Sequence, residues 1–88
     1  MKDTVERIMR MEAYFDALRA ALAADQPPDD ALLHRLWELE AYYTGGQWLR
    51  DYEADERGEI PQNLIRGVLS QDGVYLVLCD AREKGWLK

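Results

Sequence analysis

The sequence has one cysteine, one histidine and three prolines, no basic cluster, and no apolar run near the roughly 20 residues that cross a bilayer. A lone cysteine, Cys79, excludes an intrachain disulfide, and its place inside an apolar run predicts burial in a reducing compartment. The N-terminal residues mix charges where a signal peptide carries its hydrophobic segment, so the cytoplasm is the expected location, with no membrane association. There is no Gly-rich phosphate loop, no zinc-ligand spacing and no nucleophile motif. Enzyme chemistry has no visible seat, and no cofactor or catalytic residue is expected.

What is present is an acidic chain of 88 residues with a formal charge of −6. A chain of this size builds one core, so residues 1–88 are read as a single domain. The charge is unevenly placed. Residues 2–24 balance bases and acids, whereas residues 25–60 carry Asp25, Asp29, Asp30, Glu38, Glu40, Asp51, Glu53, Asp55, Glu56 and Glu59 against Arg35, Arg50 and Arg57. Such a field disfavours nucleic acid and anionic lipid as partners, because binding phosphate draws on clustered Lys and Arg.

Apolar residues Val5, Ile8, Met11, Phe15, Leu18 and Leu22 recur at spacings of three and four, the stripe of an amphipathic helix ending near Ala24 before Pro27-Pro28. Asp29 and Asp30 supply carboxylates at the start of a second helix, in which Leu32, Leu36, Leu39 and Tyr43 form the stripe and Leu33 and Trp37 widen it. Gly45-Gly46 ends it, and the two helices are expected to form an antiparallel hairpin. From Gln47 to Gly58, Trp48, Leu49 and Tyr52 anchor no more than a short helical turn. Pro61, Leu64, Ile65 and Gly67 predict another helix of one or two turns.

The run from Gly73 to Cys79 is rich in strand formers. Ser70 as cap, Asp72 as first-turn acid, the helix-favouring Ala81 to Lys84 and the Gly85 stop argue for helix instead, and a lone strand would have no partner. The expected fold is therefore all-α: an antiparallel helical hairpin, then short helices and a C-terminal helix.

Asp51, Glu53 and Asp55 alternate as the ligands of a calcium loop do, but Glu56 stands where that loop needs glycine and Gln62 where it needs a bidentate Glu. A solvated acidic turn tied to Arg50, Arg57 or Arg66 is the better reading. His34 reads as a surface residue and Ser70 as a cap rather than a nucleophile. Tyr42, Tyr43, Trp48, Tyr52, Tyr75 and Trp86 are many large rings for a small core: either they fill it, the favoured reading, or some remain outside as anchors for a partner. The surface proposed from sequence is Tyr42, Tyr52, Glu53 and Glu56.

The stretch Tyr42-Tyr43, Trp48, Asp51-Tyr52-Glu53-Ala54-Asp55-Glu56, Gly58, Ile60-Pro61, Leu64, Arg66-Gly67-Val68-Leu69-Ser70 and Asp72 resembles domain of unknown function family 4298. The resemblance spans about residues 5–80 and implies a bacterial, cytoplasmic, helical protein. The chain departs from the family pattern at Asn63, where an acid is usual, at Gly73, where Ala is usual, and by its Pro-Pro break. The motif places Trp48, Asp51, Asp55 and Arg66 around two glycine-closed turns. These four are expected to form a structural clasp in which the Arg66 guanidinium bonds Asp51 or Asp55.

Three functions remain in view. The leading one is a non-enzymatic protein-protein interaction module, with a homodimer as its simplest form. The second is an acidic decoy that occupies the basic channel of a nucleic-acid-binding protein. The third is a small-ligand binder or enzyme, disfavoured because so short a chain rarely encloses a pocket.

Overall fold

In the computed structural model, which describes residues 2–87, the first apolar stripe becomes the buried face of α1 (Lys2–Ala24). Ile8 and Leu18 are wholly buried, with Met11, Phe15 and Leu22 close behind. At a rise of about 1.5 Å per residue, the 23 residues of α1 account for most of the molecule's 37 Å long axis. The remaining elements pack along it.

α1 ends as the sequence requires: the Gln26 N–H donates to the Ala21 carbonyl at 3.1 Å, and Asp25 takes a left-handed φ of 55° before Pro27. α2 (Asp30–Thr44) opens on Asp29, whose Oδ1 accepts from the Leu32 N–H at 2.8 Å. Tyr14 of α1 faces Glu38, and Arg7 near the start of α1 lies by Tyr42 near the end of α2, as an antiparallel hairpin demands. Leu36 and Leu39 are wholly buried. Each such side chain stabilises the fold by about 1.5–3 kcal/mol.

The stripe on α2 is rotated from the expected one. Tyr42 is buried, Tyr43 only half-buried, and Trp37 is 54% exposed rather than part of the core. Gly46, at φ 96°, turns the chain into α3 (Gln47–Glu56), a full ten-residue helix where only a short turn was expected. Trp48, Asp51 and Ala54 share its buried face at spacings of three, which is helical periodicity with an acid in the middle.

The expected helix after Pro61 does not form. The Pro61 carbonyl accepts from the Leu64 N–H at 3.1 Å and also from the Arg66 guanidinium, so the turn closes on itself. Between α3 and Gly73 the helical geometry is confined to a 3₁₀ turn at Gly67–Leu69, which buries Val68 and Leu69. α4 (Gly73–Glu83) is helical as the end signals predicted, with Val74, Val77, Leu78 and Ala81 buried at helical spacing. Gly85, at φ 82°, ends it, the Trp86 N–H donates to the Ala81 carbonyl at 2.8 Å, and Leu87 is buried. Ser70 sits before the helix, where Asp72 holds the cap position. Among the described residues there is no strand.

Candidate functional site

Asp51 is the most buried charged residue, 2% exposed, and three helices converge on it. Arg7 of α1 grips it with two bonds, Nε to Oδ2 at 3.0 Å and Nη2 to Oδ1 at 2.6 Å. Tyr42 of α2 donates its hydroxyl to Oδ2 at 2.7 Å. Each group satisfies another, so α1, α2 and α3 are pinned at one point. The bond to Asp51 holds the Arg7 pKa above its ordinary value. Burial, then the bond to Asp51, pushes the Tyr42 phenol far above its own. At neutral pH Arg7 stays charged and Tyr42 stays a donor.

A second node fastens the 3₁₀ turn. The Val68 N–H donates to Glu12 Oε1 of α1 at 2.8 Å, and the Val68 carbonyl accepts from Trp48 Nε1 of α3 at 2.8 Å. One residue of irregular backbone thereby has both polar groups satisfied by side chains from different helices. Burial raises the Glu12 pKa, and the Val68 bond partly opposes it. The Trp48 ring stacks on Tyr52 at 5.1 Å and meets Tyr43 edge-on at 5.0 Å.

The four clasp residues therefore fall into separate arrangements. Arg66 bonds Asp55, not Asp51, and also reaches the carbonyls of Leu64 and Pro61. Asp51 belongs to Arg7 and Tyr42, and Trp48 to Val68. Of the surface proposed from sequence, Glu53 and Glu56 are exposed on α3 and Tyr52 is half-buried against Trp48. Tyr42 is a correction: it is 3% exposed, because its hydroxyl is drawn inward to Asp51.

Arg7 and Glu12 were missed by sequence reasoning, since their partners lie 44 and 56 residues away. Glu12 had a signal, because it falls inside the arc of Ile8, Met11 and Phe15 that a helix turns inward. Cys79 is only half-buried, near the Tyr75 hydroxyl, and His34 is exposed beside Glu38. Among the described residues no group of three or more His, Cys, Asp or Glu could hold a metal ion. Among the described residues no helix is long and apolar enough to cross a membrane.

The outward apolar side chains are the complement of this internal pairing. Trp37 on α2, Leu49 on α3 and Tyr75 and Leu76 on α4 are each more than half exposed. In comparison with known proteins, the model of the family described as Domain of unknown function (DUF4298) matches residues 8–87. No curated protein and no solved structure matches the chain.

Proposed function

As the chain belongs to the family Domain of unknown function (DUF4298), we propose from its physical chemistry that it is a non-enzymatic module that works by binding another protein. One observation carries this reading: the buried polar side chains are engaged with one another or with backbone, while Trp37, Tyr75 and Leu76 point outward. Asp51 and Glu12, the two buried acids, hold helices and backbone in place: Asp51 is taken up by Arg7 and Tyr42, and Glu12, which lines an open groove of about 390 Å³ beside Met9, Leu64 and Ile65, spends Oε1 on the Val68 N–H. Aromatic and aliphatic side chains left in water stabilise a complex when a partner covers them. The partner is protein rather than nucleic acid, since the acidic stretch of residues 25–60 repels phosphate.

The test is co-purification of the tagged chain from the cells that make it, at low and high salt, alongside a Leu76→Asp variant. A protein recovered in fixed proportion with the natural chain and reduced with the variant supports the module. Recovery of no protein, or of a small molecule instead, contradicts it. Complete loss of the partner at high salt would favour the acidic decoy.

A further inference from the structure

The groove between α1 and α4 is a neutral place on an acidic molecule. It holds about 500 Å³, with Phe15, Leu22 and Val77 in its wall and one charge of each sign among its lining residues, Arg19 from α1 and Asp80 from α4. Arg19 lies over the Phe15 ring, 5.1 Å from its centroid. Leu76, 61% exposed, stands in the same lining. Gly73 lets α4 begin close against α1, since a Cβ there would come within 3.0 Å of Phe15.

We infer that this groove receives a second copy of the chain, the two grooves meeting about a two-fold axis. Each Leu76 sits in the other copy's groove, and each Arg19 faces the other copy's Asp80. The inference rests on the protein-binding reading and names one partner for it. A two-fold contact requires a patch complementary to itself, and a wall carrying one base and one acid around apolar side chains meets that requirement. The rest of the surface argues the same way. Two copies repel through residues 25–60, so a self-contact belongs where the charges cancel, whereas a basic partner would be drawn to the acidic stretch.

Sedimentation equilibrium of the full chain tests this, with Arg19→Glu, Asp80→Lys, the double exchange and Leu76→Asp compared under circular dichroism to verify the helices. The natural chain is expected to show a monomer–dimer equilibrium. Each single charge reversal weakens the dimer about tenfold by setting like charges opposite one another twice. The double exchange restores it, and Leu76→Asp leaves a folded monomer. A natural chain that is monomeric at every concentration, or a dimer indifferent to both reversals, overturns the inference. A monomer that still co-purifies with a different protein overturns the second copy alone. One that co-purifies with nothing overturns the protein-binding reading as well.

Discussion

In the α1–α2 hairpin, Ile8, Leu18, Leu36 and Leu39 are wholly buried in the shared core, whereas residues 57–72 cross the helices with only Ile60, Val68 and Leu69 buried. The hairpin is held by area removed from water. The crossing segment is held in large part by bonds at a few points: Glu12 and Trp48 on Val68, and Arg66 to Asp55. Non-directional burial tolerates small shifts, while a bond to a single backbone group fails when its partner is removed. The difference implies that the segment can open without the hairpin melting.

The comparison breaks most severely at the hairpin core. Leu36→Ala removes a wholly buried side chain and should cost about 3 kcal/mol in urea unfolding, through lost transfer energy and the cavity left behind. Asp51→Ala acts where hairpin and α3 meet, leaving Arg7 and Tyr42 without their acceptor. A cost of roughly 2–3 kcal/mol is expected, toward the low end because the Arg7 side chain is 22% exposed and can reach water.

Smaller changes sharpen the contrast. Arg66→Ala removes the clasp bond to Asp55 and should cost below about 1 kcal/mol, since the pair is partly solvated. An unchanged melting temperature would remove the clasp from the account. The smallest effect is in pH. Burial raises the Glu12 pKa in the folded chain, so its favourable contribution is complete below the unfolded carboxyl value of about 4.3 and is lost as pH rises through the raised folded value. Glu12→Gln keeps an acceptor for Val68 and should flatten that part of the stability profile. A profile that keeps its slope would mean Glu12 titrates like a surface acid.

Much of the fold was legible because helices announce themselves locally. Asp29, Gly46 and Gly85 mark ends by cap and turn chemistry, and the strand-forming run after Gly73 still places Val74, Val77, Leu78 and Ala81 on one helical face. The nodes were less legible because they join distant residues. Nothing near Arg7 indicates Asp51, and nothing near Glu12 indicates the Val68 N–H. The tyrosines show the same limit. Adjacent Tyr42 and Tyr43 differ by one helical position, and which turns inward depends on an acceptor supplied by α3. The Arg66–Asp55 bond lay within reach of sequence because both residues belong to one short acidic and glycine-closed stretch.

The most direct test of the contrast is native-state hydrogen exchange at the Val68 amide, compared with the amides of Leu36 and Leu39, in the natural chain and in Glu12→Ala. The expected result is a Val68 amide that loses its protection in the variant while the hairpin amides keep a high opening energy. If Val68 and the hairpin amides lost protection together and by the same amount, the two regions would be one cooperative unit, and the separate fastening of the crossing segment would be contradicted.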